Sequence, residues 1–322
     1  MAGTYDVIIP TYNRRETLAR VLRGLEQQDT PELLGTVVVV DDGSTDGTAE
    51  AVRSLATPLR ICLLEGRKGG PAAARNAGIA AAEAERILFL CDDIEPAPQL
   101  LAAHAARSRD VNDAHAVVGR VDWPPGTRVR HFARFVMERY HFGFGALADL
   151  EELPFHAFIT ANLSIARELV LSLGGFDEGF TYGWEDTDLG LRATLQGVRL
   201  LYAPQALGYH HHEITPASYC RRQEAVGRSA VHFVRKHPAY ASVVGAARLP
   251  RPWTPRWAVK GALFNRLTLG GWALAARSLS ALGGGKAAEL IYSQVLASCY
   301  YRGMARALAT QARPTQEPSR DR

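Results

Sequence analysis

The sequence predicts an α/β fold: a Rossmann-like, mostly parallel central sheet flanked by helices, with a helical extension at the C-terminal side. Three observations lead there. Short β-branched runs alternate with helix-period segments through the first hundred residues, which is the pattern of βαβ units. Three of those runs end in polar clusters, Pro10-Thr11-Tyr12-Asn13, Asp41-Asp42 and Asp92-Asp93. Three prolines lie between Pro250 and Pro255, and beyond them the chain turns to basic amphipathic helix.

The elements follow in order. Val7-Ile8-Ile9 is a buried parallel strand ending in Pro10. Asn13 opens a helix, with Glu16 completing a capping box and Leu18, Val21, Leu22 and Leu25 forming one apolar face. Thr36 to Val40 is the second strand; it turns at Asp41-Asp42-Gly43-Ser44 into a short helix ending near Leu55. Leu59 to Leu64 is the third strand. The loop Lys68-Gly69-Gly70 then leads to Pro71, in the first turn of an Ala-rich helix. Ile87 to Leu90 is the fourth strand and ends in Cys91-Asp92-Asp93. Val117 to Val121 and Phe158 to Ile165 are further strands. Leu200 to Tyr209 is extended chain broken by Pro204. Glu185 to Leu195 is a helix with an acidic first turn, and Pro216 to Lys236 another. Two amphipathic stretches, Trp257 to Leu282 and Lys286 to Leu308, precede a polar tail. The expected organisation is one α/β domain over 1–240, in two halves that meet at about 120. A helical extension over 241–310 and a disordered tail over 311–322 complete it.

Composition narrows the function classes. The chain has 322 residues, 47% hydrophobic and 22% charged, which is ordinary globular composition. A net charge of +4 is small for this length, and no basic groove-reading helix stands out, so nucleic acid is not an expected partner. Cys62, Cys91, Cys220 and Cys299 show no CxxC spacing, which predicts reduced thiols rather than a zinc site or disulfide framework. The first residues lack a signal-peptide pattern, and no window has the roughly 18 unbroken apolar residues of a spanning helix. A cytoplasmic protein, or one peripheral on the cytoplasmic membrane face, is expected.

Parallel sheets bind ligands at the carboxyl ends of their strands, where the polar clusters lie. The adjacent carboxylates of Asp92 and Asp93 suit a solvated turn, or a hard divalent cation bridging to a diphosphate. Asp41 and Asp42 suit a tight turn, or a nucleobase N–H and ribose hydroxyl. Asp177, Glu178, Glu185, Asp186 and Asp188 put five carboxylates in a dozen residues, a source of a general base for a sugar hydroxyl. Tyr182 and Trp184 offer rings to stack on a sugar, or core packing. One or more of His210-His211-His212 suits a metal shell or a diphosphate. Arg75, just after Gly69-Gly70, suits a nucleotide contact or a surface salt bridge.

Taken in order, Val7 to Arg14, Val40 to Thr48, Ala74 to Gly78, Phe89 to Asp93, Gly174 to Glu178 and Glu185 to Leu189 resemble the motif set of the family 2 glycosyltransferases, over roughly residues 5 to 235. The resemblance implies the GT-A fold and sugar transfer from a nucleotide-sugar donor, with UDP the commonest carrier; residues 1–240 would be the catalytic domain, with a nucleotide-binding half to about 120 and an acceptor-binding half from 121. The outcome would be inversion at the sugar. The acceptor would be a carbohydrate, a lipid-linked molecule or a small molecule, in cell-surface polysaccharide, glycolipid or secondary-product glycosylation. It implies donor contacts from Pro10, Tyr12, Asn13, Asp41, Asp42, Arg75 and Asp92. It implies acceptor contacts from Gly175, Trp184 and Glu185, Asp186 as catalytic base, and Mn²⁺ or Mg²⁺ on Asp93 with His210 beside it. Cys91 stands where the family often has the first Asp of its metal motif.

Two rivals share the parallel sheet and nucleotide: a sugar nucleotidyltransferase, which would want a glycine-rich loop where Pro10 to Arg14 stand, and a non-catalytic binding protein on the same scaffold. From Trp253 onward, Trp253, Trp257, Trp272, Tyr292, Tyr300 and Tyr301 accompany Arg256, Lys260, Arg266, Arg277, Arg302 and Arg306. That mixture fits peripheral membrane contact or helix packing. Acceptor specificity is expected in the stretch Trp123 to Pro154.

Overall fold

A computed structural model describes residues 4–109, 111, 114–142, 150, 152–245, 263 and 268–311. They divide into two compact units. The first comprises residues up to 130, Arg134–Thr181 and Glu185–Glu213; the second comprises His131–Ala133, Tyr182–Trp184 and the chain from Ile214.

The first unit is built on one eight-stranded sheet. Its strands are β1 (Tyr5–Thr11), β2 (Leu34–Asp41), β3 (Ile61–Glu65), β4 (Arg86–Leu90), β5 (Ile94–Pro96), β6 (His115–Asp122), β7 (Asn162–Ala166) and β8 (Arg199–His210), in the order 3-2-1-4-7-6-8-5. Strands β3, β2, β1 and β4 run parallel; the apolar runs Val7–Ile9, Val37–Val40 and Ile87–Leu90 are buried, as parallel strands covered on both faces are, while β3 at the sheet edge is half-buried. Strand β7 is antiparallel to β4 and β6, β8 is parallel to β6, and β5 is antiparallel to β8. Register places Thr11 beside Asp41, Leu90 beside Asn162 and Ile94 beside His210, so the polar strand ends gather along one edge. The helices with this sheet are α1 (Arg15–Glu26), α2 (Thr48–Arg53), α3 (Gly70–Ala81), α4 (Leu100–Ser108), α5 (His131–Val136, shared between the units), α6 (Arg167–Ser172) and α7 (Glu185–Leu195).

Three local readings change. Asn13 does not cap α1: its φ is 54°, its side chain is spent on the neighbouring loop, and Arg14 occupies the cap position without a side-chain bond. The strand expected from Phe158 begins only at Asn162, because Phe155–Ala157 winds into a 3₁₀ turn. Pro204, which has no N–H for a ladder, does not end β8. The register steps from Gly119↔Ala203 to Arg120↔Leu207, and residues 204–206 bulge out of the pairing. The Ala206 carbonyl then accepts from Asn162 Nδ2 at 2.8 Å. Asn162 Oδ1 takes a hydrogen bond from His104 Nε2 at 2.9 Å, and Ser164 Oγ donates to His104 Nδ1 at 2.9 Å. Burial holds the His104 imidazole down at about 4, so it stays neutral within this chain of bonds.

The second unit contains α8 (Pro216–Lys236), α9 (Leu269–Ala281) and α10 (Gly285–Gln311). The domain boundary was expected near residue 240, yet α8 groups with the C-terminal helices from Ile214. The cause is close helix packing. A Cβ on Gly227 would lie 2.0 Å from the Tyr300 carbonyl oxygen, and one on Gly303 would lie 2.1 Å from that of Glu224. Buried Glu224 pairs with Arg302 Nε at 3.0 Å and Arg306 Nη1 at 2.9 Å. Tyr292 is buried with its ring 4.8 Å from Phe132, and the Tyr300 hydroxyl donates to the Val244 carbonyl at 2.8 Å. Of the aromatic and basic groups read as surface-seeking, these four are therefore used in packing. Trp253, Arg256, Trp257, Lys260, Arg266, the proline linker and residues 312–322 lie outside the described residues, as do 143–149 and 151 of the expected acceptor stretch.

Candidate active site

The β1 and β2 ends are tied together by Asn13. Its Oδ1 accepts from the Thr45 N–H at 2.7 Å, and its own N–H donates to Ser44 Oγ at 2.8 Å. Asp41 Oδ1 accepts from the Ser44 N–H at 2.8 Å. The two Asp42 oxygens accept from the Gly69 and Gly70 N–H groups at 2.6 and 2.8 Å, placing a carboxylate at the N-terminus of α3, where the helix dipole favours it. Pro10 pairs in register with Val40 beside these loops. Tyr12 is exposed, with Lys68 Nζ 5.1 Å from its ring centroid. An open aromatic face, a cation and fixed carboxylates are the elements that bind a nucleoside and its phosphates.

At the β4 end, the Thr11 hydroxyl donates to Asp92 Oδ2 at 2.8 Å. Burial, and next the charge of Asp93, raise the Asp92 carboxyl well above the usual range, although the Thr11 hydroxyl, Arg14 and the Tyr12 N–H pull the other way. Asp93 Oδ2 lies 3.8 Å from His210 Nε2 and 3.8 Å from Arg14 Nη1. Arg14 Nη1 also lies 3.2 Å from His212 Nδ1. His210 is buried with Trp123 and Phe142 rings at 5.7 Å, and His211 turns to Glu95 Oε2 at 2.5 Å. Burial, then the neighbouring Asp93 charge, push the Cys91 thiol far up, so it stays protonated and is no ligand for a hard cation. Among the described residues no three His, Cys, Asp or Glu side chains form a ready metal cage. Asp93 and His210 nevertheless fit a divalent ion that takes its other ligands from a diphosphate and water, and two crowded carboxylates gain from such a charge.

The acidic cluster resolves into distinct tasks. Asp188 is fully buried and takes Arg192 Nε at 2.9 Å, while Arg192 Nη2 donates to the Gly175 carbonyl at 2.7 Å. Glu178 accepts from Asn76 Nδ2 at 2.8 Å. Glu185 is buried with Oε1 3.2 Å from Arg75 Nη1. Burial, then Asp186, raise its carboxyl against the pull of Arg75. Asp186 is different: its side chain is 20% exposed, Oδ2 accepts from the Thr160 N–H at 3.0 Å, and Oδ1 accepts from the Thr160 hydroxyl at 2.8 Å. Arg75 Nη1 stands 3.6 Å from Oδ1. A carboxylate so held, with one part open, is equipped to take a proton from a hydroxyl.

The structure thus gathers Asp92, Asp93 and His210 on one sheet edge, and fixes Asp186 through Thr160, which stands two residues before β7, the strand paired with β4. Arg75 is ion-paired as one reading allowed, but in the interior. Gly175, with φ 67°, faces the Asn76 carboxamide. Within the second unit, Trp184 donates its indole N–H to the Val226 carbonyl at 3.1 Å and tilts on Phe233 at 5.4 Å, the core-packing reading. The Tyr182 N–H donates to Ser229 Oγ at 3.2 Å. Sequence reasoning gave no role to Thr11, Arg14, Asn76 or Thr160. Thr11, Arg14 and Asn76 stood inside the quoted motifs, whereas Thr160 carries no spacing signal.

Residues 6–172 match the family described as Glycosyl transferase family 2, and 99–282 match Glycosyl transferase family group 2. A relative named validoxylamine A glucosyltransferase, from Streptomyces hygroscopicus subsp. limoneus, is 34% identical over 263 residues, covering 73% of this chain and 57% of the relative. A second of that name, from subsp. jinggangensis, is also 34% identical, with 61% of its length covered. The chain therefore spans about three-fifths of these relatives. Among solved structures, a mannosyltransferase from Pyrobaculum calidifontis, in complex with GDP-Man and Mn²⁺, superposes with TM-score 0.63 at 22% identity, over 94% of this chain and 87% of that one. TarS 1–349 of Staphylococcus aureus gives 0.53 at 19% identity, over 96% and 92%.

Proposed function

The chain belongs to glycosyl transferase family 2 and has the GT-A fold, and from that premise we propose that it transfers a sugar from a nucleotide-sugar donor to an acceptor hydroxyl with inversion. The observation that carries the reading is His210 lying against Asp93 at the β4 end, with the charges of Asp92, Asp93 and the Thr160-held Asp186 all acting on the intervening Cys91. In this reading Pro10, Tyr12, Asp41 and Asp42 frame the nucleoside, and Asp92 faces the donor's sugar or ribose. Asp93 and His210 would hold a divalent cation, which when bound neutralises the departing diphosphate; the imidazole favours Mn²⁺ over Mg²⁺. Asp186 takes the acceptor proton as the acceptor oxygen forms its bond to the anomeric carbon. The bond from that carbon to the diphosphate oxygen breaks on the opposite face, and nucleoside diphosphate leaves.

The test is product analysis with UDP-glucose, UDP-N-acetylglucosamine and GDP-mannose, with Mn²⁺ and with EDTA. The reading expects nucleoside diphosphate from at least one donor, lost in EDTA. Pyrophosphate as the product would point to nucleotidyl transfer instead. The relatives named for glucosyl transfer put UDP-glucose first.

We also infer a peripheral contact with anionic membrane surface at the junction of α9 and α10. Leu274, Leu282 and Leu290 are 65%, 84% and 67% exposed, with Arg277 and Lys286 exposed among them. Among the described residues no helix is long and apolar enough to cross a membrane, so this contact would lie in the interface. Such a surface suits a lipid-linked acceptor.

A further inference from the structure

We propose that Thr160 is a positioning residue for Asp186, fixing the orientation of the base relative to the donor edge; this rests on the reading of Asp186 as the base. The geometry is specific. One residue supplies two donors, its backbone N–H to Oδ2 and its hydroxyl to Oδ1, so among the described residues Thr160 sets the plane of the Asp186 carboxylate at both oxygens. A carboxylate on the first turn of α7 otherwise turns freely about its terminal torsion, which is broad and roughly two-fold.

Thr160 is itself fixed. It is almost wholly buried, and the next residue, Ala161, accepts through its carbonyl from the Cys91 N–H at 3.2 Å. Asn162 then pairs in register with Leu90. A continuous run of backbone bonds therefore links the strand end bearing Asp92 and Asp93 to the residue that orients Asp186. Attack in line with the leaving diphosphate requires base and donor to keep a fixed relation, and a misplacement of about 1 Å can cost on the order of 100-fold in rate. Arg75, beside Oδ1, supplies charge, but its Nη1 stands 3.6 Å from that one oxygen, beyond hydrogen-bond distance, and does not set the carboxylate plane.

The experiment compares Thr160→Val, which removes the hydroxyl and keeps shape and backbone, with Thr160→Ser, which keeps the hydroxyl. Nucleoside diphosphate release is followed from the donor in the panel above that turns over, alongside calorimetric donor affinity and the thermal midpoint. The proposal expects T160V to lose roughly 10-fold or more in kcat, with donor KM and affinity within about 2-fold, and T160S to return to within about 3-fold of wild type. Parallel losses in kcat and donor affinity, or a T160S as impaired as T160V, would show a merely structural part and overturn it. Asp186→Asn separates the two levels. If D186N is inactive while T160V keeps full kcat, the positioning role fails and the base stands. If D186N turns over like wild type, the reading of Asp186 fails with it.

Discussion

Asn76 closes on Gly175. Its Oδ1 accepts from the Phe176 N–H at 2.8 Å, its Nδ2 donates to the Phe176 carbonyl at 2.9 Å, and a Cβ built on Gly175 would lie 2.7 Å from that Oδ1. With φ at 67°, Gly175 is also in a conformation that side chains resist. Gly175→Ala is expected to destabilise the fold by about 1–3 kcal/mol, read as a lower urea midpoint at unchanged slope. An unaltered midpoint would mean that the loop does not depend on this contact.

Asp93 has a separable role. Asp93→Ala removes one of the two groups proposed for the cation and leaves the nucleoside contacts in place. Calorimetry with UDP should show affinity reduced roughly 10-fold or more in Mn²⁺ and nearly unchanged in EDTA. Equal losses in both media would assign Asp93 to the nucleotide rather than to metal.

Buried His104 makes stability fall in mild acid. Its imidazole is held at about 4 by burial, against 6.5 for an unburied one. Between those values the unfolded chain binds a proton that the folded chain refuses, so this contribution is intact above about 6.5 and is lost as pH falls toward 4. Near pH 5 the loss comes to about 2 kcal/mol. Urea midpoints measured near pH 7 and pH 5 should drop more for wild type than for His104→Gln. An equal drop would place the acid sensitivity elsewhere.

Much of the fold was legible in the sequence, and the reasons lie in particular residues. The strands at Val7, Val37 and Ile87 are wholly buried, so their β-branched runs had no competing period. Helix α3 begins at Gly70 with Pro71 in its first turn, and α7 spans Glu185–Leu195, as their local chemistry indicated. Strand β5 was missed because three residues, Ile94–Pro96, carry no period and contain a proline. The chain's course at Asn13 was missed because a side chain that caps a helix and one that bridges to Thr45 look alike in sequence. At the site, the carboxylates announced themselves through clustering. What orients them did not: Thr11 and Thr160 reach Asp92 and Asp186 across 81 and 26 residues of chain, a separation no local pattern encodes.

The α9–α10 junction offers a test away from the chemistry. Leu282→Glu with Leu290→Glu should weaken co-sedimentation with vesicles of anionic phospholipid by roughly 10-fold, leaving release of nucleoside diphosphate from a soluble donor unchanged. Undiminished co-sedimentation would remove this surface as the membrane contact.

Asp186 as the base of the proposed sugar transfer is tested by donor turnover of Asp186→Asn beside donor binding by the same variant. Affinity is expected within about 2-fold of wild type and nucleoside diphosphate release lowered by about 100-fold or more, the scale of general-base assistance. Release at the wild-type rate from a variant that binds donor normally would contradict it.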